Sequence, residues 1–351
     1  MEKILIGDCF DLIKTIPNNS VDLIITSPPY VDIVSYGKKV SITKSTEYCD
    51  WILPLFDEIW RVLKPSGSFI LNINDKTEKG YRTTFIEELL YKNSTRNKLL
   101  LYDKYFWHKK SGIPNGAPKR FRNMTEYLFH FCKDYKQMKF YMDRVLQEPK
   151  DSSVKRYDYE FDDNVGFTEE GSRIKKKRVK YRHKKSFKDG QANHTYKEKV
   201  APEKVRPDNV FRFNTASASK DNTIKHPAPF HKELPLFFIE LLTDEGDLVI
   251  DTFSGIATTG IACKELKRDY IGFELNEMYA TFSEKRLSGS NDEFLWVNQY
   301  DLNGNPIKSY AAYTAAEKET GLCGEDIMRC YSREGHTTCG GFYWRLENFK
   351  L

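Results

Sequence analysis

"DLVIDTFSGIATTGIACKEL" (residues 247–266) reads as a short apolar strand, a turn of small residues and the opening of a helix. The strand ends at Asp251. Gly255 and Gly260 allow close backbone approach, and a helix begins near Thr258. A small-residue turn that feeds a helix N-terminus offers free N–H groups to an anionic or polar ligand. About 20 residues further on, Glu274 ends the next strand, where an acidic side chain is placed to hold ribose hydroxyls. A glycine-rich turn alone is only a tight strand-to-helix connection. The turn, the spacing to Glu274 and the strand context together point to a nucleotide-like ligand.

The same alternation extends on both sides. Downstream, "DYIGFEL" is a strand and "NEMYATFSEKRL" a helix; upstream, "KELPLFFIELLT" is a helix. Over residues 1–135, "KILIGD", "VDLIITS", "SFILNIN", "LLLYDKYFWHKK" and "TEYLFHFCK" read as strands. Between them "CFDLIKTI", "EYCDWILPLFDEIWRVLK" and "TFIEELLYKN" are helical, with Pro54 expected in or near the first turn of its helix. Pro65-Ser66-Gly67 is expected to end that helix. Strands alternating with helices imply a mostly parallel sheet covered on both faces.

The strand "VDLIITS" is stopped by Ser27-Pro28-Pro29-Tyr30. Proline has no N–H and a fixed φ, so the chain leaves the sheet in a rigid, extended form. A serine, two stiff residues and a tyrosine thus stand together at the C-terminal end of a strand.

Composition narrows the class. At 351 residues the chain suits one large domain with insertions, or two. Its 40% hydrophobic and 14% aromatic content is that of a globular protein. No apolar run approaches the ~20 residues of a membrane span, and "MEKILIGDCF" lacks the apolar core and cleavage site of a signal peptide. Seven irregularly spaced cysteines argue for a reducing compartment rather than a disulfide framework. A net charge of +5 does not by itself mark a nucleic-acid binder.

These segments resemble an amino-group DNA methyltransferase of the permuted class, in which the catalytic motif precedes the cofactor motif (the β order). The resemblance covers residues 1–135 and about 205–287. It rests on "GDC", "LIKTIPNNSVDLIITSPPY", "WHKKSGIPNGAPKRFRNMTEYLFHF" and the run from "HPAPFHKELP" to "FSEKRL". It implies an α/β, Rossmann-like S-adenosylmethionine-dependent methyltransferase fold with a mostly parallel seven-stranded sheet, an inserted target-recognition region and a small C-terminal α+β module. The implied division is 1–135 for the catalytic half, 136–225 for the insertion, 226–289 for the cofactor half and 296–351 for the module. The chain departs from the family at Ala257, usually glycine, and at Thr252, often proline, which bears on the turn and on cofactor affinity.

Methyl transfer to an exocyclic amine needs no covalent intermediate, only acceptors that turn the nitrogen lone pair toward the methyl. The resemblance assigns this to Ser27 Oγ and the Pro28 carbonyl, with Pro29 as stiffener and Tyr30 stacking on a base extruded from double-stranded DNA. It implies a cofactor site with Asp251, Phe253 and Gly255 on the methionine side, Thr258 at the helix N-terminus and Glu274 at the ribose, Ser254 and Asn276 also lining it. Asp8 and Cys9 would lie near the adenine, and His226 (followed by Pro227) and Phe230 would close the methionine side. Asp8 also reads as a helix cap, Cys9 as a small buried residue, Phe253 and Phe230 as core, and Trp107 as core. No Pro-Cys pair occurs, which excludes a cytosine C5 enzyme, and related glutamine or RNA methylases usually begin their tetrapeptide with Asn or Asp. Serine in the first position favours the N4 amine of cytosine; adenine N6 is the alternative. A non-catalytic DNA-binding protein retaining the fold is the reading from another class. A cognate restriction endonuclease as partner, and a cytoplasmic bacterial or phage setting, follow from the resemblance alone.

Between the halves lies "RIKKKRVKYRHKKSFKDG". Lys175, Lys176, Lys177, Arg178, Arg182, Lys184 and Lys185, together with Arg120, are candidates for phosphate contact; the plainer reading of the run is a solvated charge segment. Such contacts position DNA without specifying sequence. The tail, residues 298–346, resembles the small modular DNA-binding repeat found beside homing endonucleases, with a hairpin around Asn303-Gly304, two short helices and "GGFYW". It carries more acidic than basic residues, so a structural or protein-contact role is equally open. Cys323, Cys330, His336 and Cys339 lack a CxxC knuckle, and no metal is expected.

Overall fold

Val21–Thr26 is buried along its whole length. A strand with no solvated face must be covered by helices on both sides, and it stands at the centre of the sheet. The computed structural model describes residues 1–29, 45–96, 98–110, 119–149, 181–188, 191–198, 203–213, 231–289, 294–310, 313–323, 326–327 and 338–349.

In chain order the elements begin with β1 (Glu2–Ile6), α1 (Cys9–Leu12), β2 (Val21–Thr26), α2 (Ser45–Val62) and β3 (Leu63–Ile73). A ribbon of β4 (Thr77–Glu78) and β5 (Tyr81–Arg82) precedes α3 (Phe85–Ser94), β6 (Leu100–Lys109) and β7 (Thr125–Cys132). Then come β8 (Tyr181–Lys188), β9 (Gln191–Glu198), β10 (Val210–Phe213), α4 (Glu233–Leu242), β11 (Leu248–Asp251), α5 (Thr258–Glu265), β12 (Asp269–Glu274) and α6 (Glu277–Ser288). The chain closes with β13 (Phe294–Tyr300), β14 (Pro306–Tyr310), α7 (Tyr313–Thr320) and β15 (Tyr343–Phe349).

The main sheet has the order β1-β12-β11-β2-β3-β7-β6-β10. Its pairs are parallel from β1 through β3, antiparallel at β3–β7 and β7–β6, and parallel again at β6–β10. The resemblance implies seven strands; the sheet has eight. The additional β10 is a four-residue edge strand, too short to show a period of its own. A second correction concerns Pro54, which lies in the middle of the 18-residue α2 rather than its first turn. It is exposed, so the carbonyl that it leaves without a helical N–H faces water. A third is that β3 begins at Leu63 and includes Pro65, at a register shift against β2.

Chain reversal occurs between β11 and β2. From β2 the chain moves through α2 to β3 on one side, and from β11 through α5 to β12 on the other. Right-handed crossovers then put α2 and α5 on opposite faces. Accordingly α2 packs with α1 and α3, while α5 packs with α4 and α6. The buried core beneath α2 joins Tyr48, Ile52, Phe56 and Ile59 to Phe69, Phe131 and Ile250. The crevice at the carboxyl ends of β11 and β2 is the topological switch point, where open α/β sheets bind ligands.

Chain contacts divide the molecule into residues 1–141 with 209–351, and residues 142–208. The second unit contains the antiparallel β8–β9 hairpin and a bridge between Gln147 and Val205. In the tail, β14-β13-β15 form an antiparallel sheet around Val297, Tyr310, Ala316, Ile327 and Trp344. Asp301 shapes its reverse turn by accepting the N–H of Asn303 and of Asn305 at 2.9 and 2.8 Å. Among the described residues no helix is long and apolar enough to cross a membrane, no metal-ligand cluster forms, and all six cysteines are free thiols.

Candidate active site

Two strand ends meet at the switch point. The hydroxyl of Thr26, the last residue of β2, donates to Asp251 Oδ1 at 2.7 Å, although 225 residues separate them. Thr259, in the first turn of α5, donates to Asp251 Oδ2 at 2.7 Å, and the Phe253 N–H reaches Oδ1 at 3.1 Å. A carboxylate accepts about four hydrogen bonds, so these three leave one position. Burial pushes the Asp251 carboxyl up to about 6, against the pull of the bonds from Thr26, Thr259 and Phe253. Its chief work is to lock β2, the turn and α5 into one frame.

The turn after β11 is tied to β12. Ser254 donates its N–H to the Phe273 carbonyl at 2.9 Å, and its hydroxyl pairs with Tyr270 Oη at 2.8 Å. Gly255, at φ +53°, donates to Glu274 Oε2 at 2.8 Å, and the Asn276 N–H reaches Oε1 at 2.7 Å. Ser283 and Arg286 of α6 brace the same loop through the carbonyls of Gly255 and Ile256. Ala257 caps α5 in the left-handed region, at φ +55° and ψ +40°. The turn needs positive φ at this position, which costs an L-residue roughly 1 kcal/mol or more. The chain adopts that conformation with alanine all the same.

Glu274 is buried, and burial pushes it up to about 7, opposed by the N–H groups of Asn276 and Gly255. The Leu275 N–H also favours the charged form, which leaves about one of its ~4 acceptor positions for a hydroxyl donor. A buried carboxylate with an acceptor position left over, at a strand end beside a small-residue turn, fits a ribose hydroxyl.

Ser27 follows Thr26 directly. It is half-buried, Pro28 is buried and Pro29 is half-buried. Phe253 stands 6.1 Å from the Trp51 ring, which lies 5.4 Å from Phe10 and 5.4 Å from Tyr48. An aromatic group from α1, α2 and the turn therefore stands beside the switch point.

The remaining candidates sort as follows. Asp8 is exposed and caps α1 by accepting the Phe10 N–H at 2.9 Å; Gly7 before it donates to the Glu274 carbonyl at 3.0 Å. Cys9 is buried in the core, and burial pushes its thiol well up. Thr258 is buried in the first turn of α5. Trp107 is core, its indole N–H donating to the Phe213 carbonyl. Arg120 is exposed and donates to the Gly80 carbonyl. Arg182, Lys184 and Lys185 belong to β8, in register with Lys197, Thr195 and His194 of β9. Tyr30, Lys175, Lys176, Lys177, Arg178, His226 and Phe230 lie outside the described residues, as do Cys330, His336 and most of the tail's second helix.

Three site residues escape a reading by motif. Thr26 and Thr259 look like ordinary β-branched and helix-start residues, and Trp51 like one more apolar helix position. Only Thr26 had a signal, its place directly before Ser27.

A family model described as a DNA methylase of the N6/N4 group matches residues 21–285. The type II methyltransferase M.PvuII of Proteus hauseri is 26% identical, over 82% of this chain and 83% of its own. The DNA adenine methyltransferase YhdJ of Escherichia coli is 27% identical, over 81% and 82%. A solved structure of PvuII DNA methyltransferase, titled cytosine-N4-specific, superposes with a TM-score of 0.58 at 23% identity, covering 82% of this chain and 87% of that one.

Proposed function

Because the chain belongs to the N6/N4 DNA methylase family, we propose that it is a site-specific enzyme methylating the N4 amine of cytosine in double-stranded DNA, with S-adenosylmethionine as methyl donor. One observation carries the reading. Ser27 and Pro28 sit at the end of β2, and Thr26 bonds that end to Asp251, whose turn leads to Glu274.

The bound donor supplies an electrophilic methyl on a sulfonium sulfur. Glu274 would hold the ribose of the donor through its remaining acceptor capacity. Gly255, Thr258 and Phe253 border the adjoining part of the donor, and Asp8 and Cys9 stand past β1 next to Glu274. Ser27 Oγ and the Pro28 carbonyl accept the two N–H bonds of the target amine. They thereby turn its lone pair out of the base plane, and the proton released on methylation passes to water. Pro28 and Pro29 hold these acceptors still, so little reorganisation is needed as charge develops. Tyr30 stacks on the extruded base.

Serine at the first position of the tetrapeptide supports cytosine over adenine. The named relatives include both a cytosine-N4 and an adenine enzyme. A cognate restriction endonuclease belongs to the proposal on the pattern of the type II relative. Incubation of labelled donor with mixed duplex DNA, followed by digestion and nucleoside mass spectrometry, tests it. Label in N4-methylcytosine is expected. Label in N6-methyladenine would overturn the choice of base, and an unlabelled DNA pool would favour a non-catalytic DNA-binding protein.

A further inference from the structure

The edge of the sheet that carries Ser27 also carries a cleft of about 560 Å³. Its walls are Asp75 and Thr77 just past β3, Arg82 of β5, and residues 119–125, which lead into β7. Because β7 runs antiparallel to β3, with Ile73 opposite Tyr127, the start of β7 lies at the carboxyl end of β3.

The charge of the cleft is one-sided. Arg82, Lys119, Arg120 and Arg122 face a single carboxylate, Asp75. Asp75 Oδ2 meets the Tyr127 hydroxyl at 3.2 Å and Arg82 at 3.9 Å, while its buried Oδ1 has no hydrogen-bond partner among the described residues. Arg120 donates to the Gly80 carbonyl. Lys119 and Arg122 make no hydrogen bond or ion pair with the described residues. Between Arg120 and Arg122, Phe121 is 99% exposed. A single exposed aromatic means little by itself. Here it stands among cations, in a cleft at the edge where the base-acceptor segment ends.

Register sets the distance. Thr26 pairs with Leu71, so Ser27 is level with Asn72 and Asp75 lies three residues on. At ~3.3 Å per residue and ~4.8 Å between strands, the cleft starts roughly 11 Å from Ser27. That is about three base-pair steps at ~3.4 Å each.

We propose that this cleft is a duplex-DNA surface: Lys119, Arg120 and Arg122 contact phosphates flanking the target, and Phe121 wedges into the base stack opened by extrusion. It rests on the reading of the chain as a base-extruding methyltransferase. Extrusion leaves a gap, and apolar side chains inserted between base steps are an established way to hold an unstacked duplex. Aromatic stacking tolerates any sequence, so the wedge aids opening without selecting the site.

The test uses the full chain and two fluorescein-labelled duplexes of one mixed sequence, one intact and one with a single abasic site, read by anisotropy across a salt series. A wedge finds its gap ready-made in the abasic duplex. Wild type is expected to prefer it by about tenfold, the scale of one aromatic stack, and Phe121→Ala to bind both equally. Lys119→Gln combined with Arg122→Gln is expected to flatten the slope of log K against log salt by about 2, near 0.9 for each phosphate that is no longer neutralised. All three positions are exposed, so the variants keep the fold, and thermal melts verify it. A preference absent from wild type, or retained by Phe121→Ala, overturns the wedge; an unchanged salt slope overturns the phosphate contacts. Methyl transfer to genomic DNA is followed in parallel. A wild type that methylates without abasic preference sinks the wedge alone. One that shows the preference but transfers no methyl supports the wedge and sinks the catalytic reading.

Discussion

Replacing Thr26 by valine removes one hydroxyl and keeps the side chain's shape, so its effect follows from hydrogen bonds alone. Thr26 is 1% exposed. Its hydroxyl donates to Asp251 at 2.7 Å and lies 3.2 Å from both the Phe253 N–H and the Thr252 hydroxyl. The Phe253 N–H retains Asp251 Oδ1 at 3.1 Å, so the main loss is the bond to the carboxylate. A hydrogen bond to a charged group contributes about 1.5–3 kcal/mol and a neutral one about 1. Above the Asp251 pKa of about 6, Thr26→Val should cost about 2–4 kcal/mol. At pH 5 the carboxyl is mostly protonated, and the cost should fall to about 1–2 kcal/mol. The sign follows from linkage. Burial raises Asp251 in the folded state above its unfolded value, so the native chain binds this proton more tightly, and the associated stability is lost as pH rises from about 4 through about 6. Removing a donor that favours the charged form raises the carboxyl further, and the penalty of the variant grows with pH. Urea unfolding at pH 5 and pH 8, followed by tryptophan fluorescence, measures both values. A penalty that is equal at the two pH values, or smaller at pH 8, refutes the assignment of Thr26 as the donor that holds Asp251.

Four further outcomes follow from the site. Ser27→Ala should lower kcat by about a hundredfold, the scale of losing one preorganised hydrogen-bonding group, while donor affinity by calorimetry stays within about twofold; a large affinity loss would place Ser27 in the donor pocket instead. Ala257→Gly should leave stability within about 0.5 kcal/mol, because relief of positive φ is offset by a more flexible unfolded chain and the removal of a buried methyl. Ala257→Val should cost more than about 2 kcal/mol in the same melts, since a β-branched residue tolerates that φ poorly. Gly272→Ala would set a methyl 2.5 Å from Ser254 Oγ and 2.6 Å from Tyr270 Oη. Overpacking of that kind costs about 1–3 kcal/mol, and donor affinity should fall with it as Ser254 is displaced; an unaltered affinity would separate Ser254 from the donor site.

Much of the molecule is legible residue by residue because the signals are local. The apolar run Leu248–Ile250, the turn through Gly255 and the helix from Thr258 each follow from side-chain type and backbone preference. Asp8 reads as a helix cap for the same reason, and the structure has it capping α1. That residue 257 takes the left-handed conformation is not legible in the sequence, and the structure shows it there with alanine. Where local signals mislead, packing decides. Pro54 sits within α2 because the helix buries one face from Tyr48 to Val62, and the proline falls on the other, wet side. β10 exists because β6 offers an unpaired edge, which four residues of sequence cannot announce.

The sequence by itself determined the alternation of strands and helices on both sides of the switch point, the rigid Ser27–Pro29 exit from β2 and the acid at the end of β12, since each depends on neighbours within a few residues. Only the tertiary structure decided what those parts do together. The bond from Thr26 to Asp251 spans 225 residues, and no spacing rule encodes it. It arises because β2 and β11 are adjacent at the point where the sheet reverses direction. There two parallel strands end side by side, at the switch point of the sheet.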